Sequence, residues 1–240
     1  MIYVRYNYVK MRILLYGRYG EFPQELEKLV KSFNLEIYPT KPKGRSGVVD
    51  VVICYGGDGT LLGAERDYPG IPKLPLKNSG HCHLCSNIPN EKLLGLLVKN
   101  SLKFKEFNKI EALIGNKKII ALNDIIIAHK FPNSAIRFRV NDGPELIGDG
   151  VVISTVFGST GYFNSITHHV ITDGIGIAFN NIHPGPKSFE IVSEDAVIKI
   201  ALTRGPAVLA ADNDPNLIDF AENQEIFVKK SDQIATILTP

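Results

Sequence analysis

The sequence predicts two domains, an α/β domain over residues 1–99 and a predominantly β domain over residues 100–240. Three observations predict this. Short apolar runs alternate with helical periodicities up to about residue 99, as expected for a parallel sheet covered by helices. From residue 101 the helical period fades and β-rich runs follow one another. Within the first part, one apolar run passes through glycines directly into a helix. In a parallel α/β layer, ligands sit at such strand ends.

Arg12 to Tyr16 reads as the first strand. Pro23 to Phe33 reads as an amphipathic helix, with Leu26, Leu29, Val30 and Phe33 on one face and proline in the first turn. Leu35 to Tyr38 is a short second strand, and Lys41 to Gly47 is a polar loop. Val48 to Tyr55 is apolar apart from Asp50 and rich in β-branched residues, which suits a buried parallel strand. Ile71 to Lys77 is a poorer strand, because Pro72 and Pro75 lack backbone donors. Asn90 to Lys99 is a helix. The β region offers Lys118–Leu122, Ile125–Ala128, Ala135–Val140, Val151–Thr155, Glu190–Val192, Val197–Leu202, Ala207–Ala210, Glu225–Lys229 and Ile234–Leu238. Asn141-Asp142-Gly143 is a hairpin signal. The final segment is available to pack back on the first domain.

The turn after Tyr55 reads Gly56-Gly57-Asp58-Gly59-Thr60, and Leu61, Leu62 and Ala64 begin a helix. Strand, glycine turn and helix N-terminus together hold phosphate on backbone N–H groups. The turn has no lysine and lacks the three-glycine dinucleotide spacing, so neither a P-loop nor a dinucleotide fingerprint is present. A carboxylate among such amides repels phosphate unless it orients or deprotonates a hydroxyl, or holds Mg²⁺. Each of these roles suggests phosphate transfer to an alcohol. The structural alternative is an aspartate capping a helix.

The totals exclude several classes. The chain has 240 residues and a net charge of +2, which implies no polyanionic partner such as nucleic acid. No apolar run approaches the roughly 18 residues needed to span a membrane. The N-terminal stretch reads as lacking a signal peptide, with residues 1–10 an extension before a cleaner strand at Met11. Three cysteines, Cys54, Cys82 and Cys85, make no disulfide framework and suggest a cytoplasmic protein. His81-Cys82-His83-Leu84-Cys85 packs four potential metal ligands too tightly for one tetrahedron, so no structural metal site is expected.

Two polar clusters mark the β region. Asn123-Asp124 interrupts the apolar stretch IIALNDIIIA. An amide can pair with a purine edge, and a carboxylate commonly binds ribose hydroxyls, although a plain turn also accounts for the pair. Gly148-Asp149-Gly150 leads into VVISTVFGSTGYFNS, where Ser159, Thr160 and Ser165 sit among glycines with Tyr162 available for stacking. This suits a loop around a nucleotide, or a polar turn.

GGDGT, Asn123-Asp124, GDGVVIST and GSTGY, in this order, resemble the NAD kinase family, which carries GGDG, an Asn-Glu pair, GDG and a TPTGSTAY loop. The likeness spans roughly residues 12–230. It implies a Rossmann-like α/β domain plus an all-β domain in a two-domain kinase architecture. The implied reaction is phosphorylation of the adenosine ribose 2′-hydroxyl of NAD with ATP and Mg²⁺. By motif position Asp58 is the implied catalytic carboxylate, beside Gly57, Gly59 and Thr60 of the turn. Asn123, Asp124, Asp149, Ser159, Thr160, Gly161, Tyr162 and Ser165 are the implied nucleotide-binding residues. Asp212, in AADND, matches a late Asp-Gly of the family. A homodimer or homotetramer is also implied. The departures bear on substrate preference: Asp124 stands for Glu, Val156-Phe157 for Pro-Thr, Ile147 for a frequent Arg, and Asn213-Asp214 for Gly-Gln. Asn78 to Leu84 retains little of the family's Asn-x-Gly-x-Leu-Gly-Phe, and Thr167-His168-His169-Val170 stands where Gly-Gly-Pro is usual. Two other readings follow from the same residues. One is a GGDGT kinase for a lipid or sugar alcohol, and the other is an NAD(P)-binding regulator without catalysis.

Overall fold

The structure is a computed structural model and describes residues 10–17, 22–38, 49–78, 85–185 and 188–240. Features read at residues 1–9, at Lys41 to Gly47 and at His81 to Leu84 lie outside the described residues. The chain divides into a first unit that runs to Glu106 and includes Ala235–Pro240, and a second unit, Phe107–Ile234.

The first unit contains β1 (Arg12–Gly17), α1 (Gln24–Ser32), β2 (Glu36–Tyr38), β3 (Val51–Gly56), α2 (Asp58–Asp67), β4 (Lys73–Lys77) and α3 (Asn90–Val98). Its strands are parallel in the order β2-β1-β3-β4, and Ile237, near the C-terminus, pairs with Lys73 at the far edge. Successive strand residues face opposite sides of a sheet, so alternate positions form separate layers. Ile13, Leu15, Val51, Ile53, Leu74 and Leu76 pack with Leu26 and Val30 of α1 and with Leu93, Leu94 and Leu97 of α3. Leu14 and Tyr16 face the other side, where the Tyr16 hydroxyl donates to Asp67 of α2 at 2.9 Å. Helices therefore cover both faces. The strand order reverses between β1 and β3, and β3 ends at the glycine turn. In such sheets this reversal opens a crevice at the carboxyl ends.

β4 is well formed despite its proline. The Val52 N–H donates to the Pro72 carbonyl at 2.9 Å, which turns the even-numbered residues of β4 toward β3. Pro75 thus directs its donorless nitrogen away from β3, so the β3–β4 ladder loses no bond.

The second unit is β apart from one short helix. It continues β5 (Lys103–Ile114) and adds β6 (Lys117–Ala121), β7 (Asp124–His129), β8 (Ile136–Val140), β9 (Leu146–Gly148) and β10 (Gly150–Ser154). A 3-10 turn at Phe157–Thr160, α4 (Tyr162–Thr167), β11 (Ile175–Asn180), β12 (Phe189–Val192), β13 (Ile198–Arg204), β14 (Ala207–Ala211), β15 (Ile218–Phe220) and β16 (Glu225–Thr239) follow. An antiparallel sheet runs β12-β11-β10-β7-β14-β15. A second set places the start of β16 beside β13, β8 and β9, and β5 pairs with β6. Alternate residues of the two sets, among them Ile125, Ile127, Val151, Ile153, Phe138, Ile200 and Phe220, form a large core. On the outer face, Phe163 of α4 buries against Val152, Ile171 and Ala178.

Asn141-Asp142-Gly143 makes the β8–β9 hairpin, with Asn141 at φ 53° and the Gly143 N–H donating to Val140. The two expected terminal strands are one strand, β16. β5, β9, β11, β15, the 3-10 turn and α4 are additions to the elements read from the sequence.

Candidate active site

The glycine turn closes over the N-terminus of α2. Gly57 caps the helix in an extended conformation, and its carbonyl accepts the Thr60 N–H at 2.9 Å. Asp58 is the first helical residue and half-buried, where a negative charge is favourable beside the helix dipole. Gly59 is exposed and Thr60 half-buried. Gly56 is a necessary glycine, because a Cβ there lies 2.1 Å from Thr60 Oγ1 and 2.7 Å from Thr60 Cβ. The close approach presses Thr60 against the end of β3 and fixes how α2 leaves the sheet.

α2 is anchored at its far end. Lys73 of β4 is fully buried, pairs with buried Glu65 of α2, and donates to the Tyr68 carbonyl at 2.6 Å. Cys54, just before the turn, is buried, and its thiol is pushed up to about 12 by burial. It is a packing residue and not a nucleophile. Cys85 is disulfide-bonded, and its Sγ lies 3.6 Å from the Gly56 carbonyl. The low cysteine count therefore does not leave every thiol free.

In the second unit, Asn123 and Asp124 lie where β6 turns into β7. The Asp212 carboxylate accepts the N–H groups of Leu122 at 2.9 Å, Asn123 at 2.7 Å and Asp124 at 3.2 Å. The Thr155 hydroxyl donates to the Leu122 carbonyl at 2.7 Å and accepts the Gly158 N–H at 3.0 Å. The Thr155 N–H donates to the Asn123 carbonyl, and the Asp212 N–H to the Asp124 carbonyl, each at 2.9 Å. The Asn123 side-chain oxygen is buried without a hydrogen-bond partner. An unpaired buried acceptor costs about 1–3 kcal/mol, so this oxygen is well placed for a ligand donor. Asp124 is buried, and its carboxyl is pushed up to about 7 by burial and then by the charge of Asp212. Asp212 is itself raised by burial, with the three amides and Lys109 opposing the rise.

The GSTGY segment contributes less open loop than its composition suggests. Residues 157–160 make the 3-10 turn, and Tyr162 opens α4, because Phe163 has a buried seat on the sheet. Gly158 lies against Asn123, where a Cβ would be 2.2 Å from its carbonyl oxygen and 2.5 Å from its Cα. Ser159 is fully buried, donates to the Val156 carbonyl at 2.8 Å and accepts the Ile171 N–H at 3.3 Å. Its hydroxyl holds the loop together. Thr160, Gly161, Tyr162 and Ser165 are exposed, and the Ser165 hydroxyl donates to the Tyr162 carbonyl at 2.7 Å. The Tyr162 hydroxyl accepts Asn180 Nδ2 at 3.1 Å, which steadies the exposed ring. Asp149 accepts Asn181 Nδ2 at 3.1 Å and lies on the adjoining β9–β10 turn. Phe157, in the family's Thr position, packs edge-on against Phe107 at 4.6 Å. His168 ends α4 in the left-handed conformation, and His169 lies against Phe189 at 4.5 Å.

The structure gathers Asn123, Asp124, Asp212 and the 158–161 segment around one backbone turn. Asp149 and Tyr162 are steadied by neighbouring residues of the same unit. Asp58 and its glycines belong to the first unit. Thr155, Gly158 and Gly56 stand beside the residues that sequence reasoning selected. Their signal was present only as a Ser-Thr strand end and two further glycines. Among the described residues, no group of three or more His, Cys, Asp or Glu side chains is arranged to hold a metal ion, and no helix is long and apolar enough to cross a membrane.

Comparison with known proteins gives consistent relatives. The chain is 33% identical over 187 residues to an NAD kinase of Sulfurisphaera tokodaii, covering 74% of this chain and 71% of that one. It is 30% identical over 207 residues to an NAD kinase of Chloroflexus aurantiacus, covering 79% and 74%. In fold it matches the yeast NADH kinase complexed with NADH at a TM-score of 0.84 and 16% identity, over 96% of this chain and 84% of that one. It matches an Archaeoglobus fulgidus NAD kinase in complex with ATP at 0.81 and 21% identity, over 95% and 93%. No family model matches the chain.

Proposed function

This chain belongs to the NAD kinase family, and on that premise we propose that it transfers the γ-phosphoryl group of ATP to the 2′-hydroxyl of the adenosine ribose of NAD, giving NADP. The observation that carries the reading is Asp58 at the head of α2, directly behind the glycine turn that ends β3. The ribose oxygen forms a new bond to the γ-phosphorus, the bond from that phosphorus to the β-phosphate oxygen breaks, and ADP leaves. Asp58 orients the hydroxyl and accepts its proton, which then passes to solvent. Phosphoryl transfer asks chiefly for positioning and charge stabilisation, and the turn amides are suited to both.

Mg²⁺ is taken to arrive with the nucleotide. The turn offers one half-buried carboxylate, Asp58, which the reaction gives to the ribose hydroxyl, so the substrate phosphates would supply the cation's main ligands. Bound to those phosphates, Mg²⁺ would supply neutralisation of phosphate charge. The unpartnered Asn123 oxygen fits the adenine amino group, and Asp124 fits a sugar hydroxyl. Exposed Tyr162 fits base stacking. Thr160, Gly161, Ser165 and Asp149 are assigned to the same dinucleotide. The reading extends to a cytoplasmic homodimer or homotetramer, checked by sedimentation of the purified protein and by fractionation.

The test is incubation with NAD, ATP and Mg²⁺, coupling the product to an NADP-specific dehydrogenase. Asp58→Asn is expected to keep the fold and lower turnover by about a hundredfold or more. Near-normal turnover in that variant removes Asp58 from the chemistry. NAD binding without any product points instead to a regulator without catalysis.

A further inference from the structure

Leu122, Asn123 and Asp124 form a tight turn between two strands, where buried backbone groups need partners. Three amides and three carbonyls are involved, and two residues distant in sequence engage all six. Asp212 accepts the three N–H groups and donates its own N–H to the Asp124 carbonyl. Thr155 donates through its hydroxyl to the Leu122 carbonyl and through its N–H to the Asn123 carbonyl. The Cα of Gly158 closes the third side against Asn123. With the backbone saturated, the Asn123 side-chain oxygen is left without a partner in this turn.

The Asp212 carboxylate is committed inward. Oδ1 takes two amides, its full acceptor complement, and Oδ2 takes a third. Charge-assisted bonds of this kind are roughly twice as strong as neutral ones. Asp212 also sits at φ 49°, a left-handed conformation that aspartate and asparagine tolerate better than other side chains.

We propose that Asp212 is a positioning residue, which fixes the Asn123-Asp124 turn through its three amides and does not itself contact the dinucleotide. Thr155 is its counterpart on the carbonyl side. The inference rests on the reading that Asn123 and Asp124 hold NAD.

The experiment pairs hydrogen exchange of the ligand-free protein with steady-state kinetics. Asp212→Asn keeps the left-handed backbone tolerable, but it removes the charge and replaces one of the two acceptor oxygens with an NH₂ donor that faces an N–H group. Exchange at residues 122–124 is expected to rise about tenfold or more before any nucleotide is added. The KM for NAD is expected to rise about tenfold, with kcat and the KM for ATP within about threefold of wild type. Thr155→Val, which keeps the shape and removes the hydroxyl, is expected to give the same signature at smaller amplitude. It carries the test if Asp212→Asn does not fold. Unchanged exchange with weakened NAD binding overturns the proposal in favour of direct contact. Faster exchange with an unchanged KM for NAD also overturns it. A wild-type protein that neither binds NAD nor forms NADP overturns the reaction assignment and this role with it, whereas an active wild type with unchanged exchange in Asp212→Asn overturns the positioning role alone.

Discussion

The GGDGT turn and the Asn123-Asp124 turn each present a carboxylate, but they are held in different ways. Asp58 follows its strand directly, and the nearest constraints, Gly56, Gly57 and Thr60, are its sequence neighbours. Asp124 is buried, and its turn is framed by Asp212, 88 positions on, and by Thr155, whose hydroxyl bonds the Leu122 carbonyl 33 positions back. The first site depends on a glycine approach and on anchoring one helix. The second depends on a closed hydrogen-bond frame. Damage to the first should therefore fall on turnover or on α2, and damage to the second on dinucleotide affinity.

The largest expected effect tests the anchor of α2. Lys73→Met leaves Glu65 buried without its lysine, and chemical denaturation should show a loss of about 3–5 kcal/mol. The double variant Lys73→Met/Glu65→Leu should recover most of that loss, because the cost lies in the stranded charge. A double variant as unstable as the single one sinks this account of the anchor.

Gly158→Ala comes next and addresses the second site alone. The added methyl overlaps the Asn123 backbone, so the KM for NAD should rise by at least ~10-fold while the KM for ATP stays near wild type. Equal effects on both constants would erase the distinction between the two regions.

A smaller effect concerns pH. Burial, and then the charge of Asp212, raise the Asp124 carboxyl to about 7, against an unfolded value of about 4. The folded state thus holds this proton more tightly than the unfolded chain. The stabilisation is complete below pH ~4 and is lost as pH rises toward about 7. Asp124→Asn removes that dependence, so the variant should gain about 2 kcal/mol on wild type between pH 5 and pH 8. Parallel melting curves for the two proteins across this range would contradict the burial argument.

The smallest effect is a control. Lys130 and Asp219 form a 2.7 Å pair with side chains 40% and 75% exposed. Lys130→Ala should change stability by no more than about 0.5 kcal/mol and leave both KM values unchanged.

Sequence by itself determined the parts of this protein that depend on neighbours. The β-branched run before Gly56, the turn that follows and the apolar faces of α1 and α3 are local patterns, because strand and helix periods repeat within a few residues. The order of the motif set marked the family, and the fold agrees with its α/β plus β architecture. Tertiary structure decided what neighbours cannot. Lys103–Ile114 is a strand although half of its first six residues are charged, since pairing with β16 and, from Ile110 on, with β6 supplies its ladder. Ile175–Asn180 contains a glycine, yet it is a central strand because β10 and β12 flank it. Ser231-Asp232-Gln233 interrupts the apolar alternation of β16 without ending the strand. The composition of GSTGYFNS reads as a loop, yet Phe163 finds a buried seat and makes part of it a helix. Asp212 reads as one more polar residue in AADND, and only the fold brings its carboxylate to amides 88–90 positions away. Hydrogen bonding and burial over such separations depend on where the chain returns, which no local period encodes.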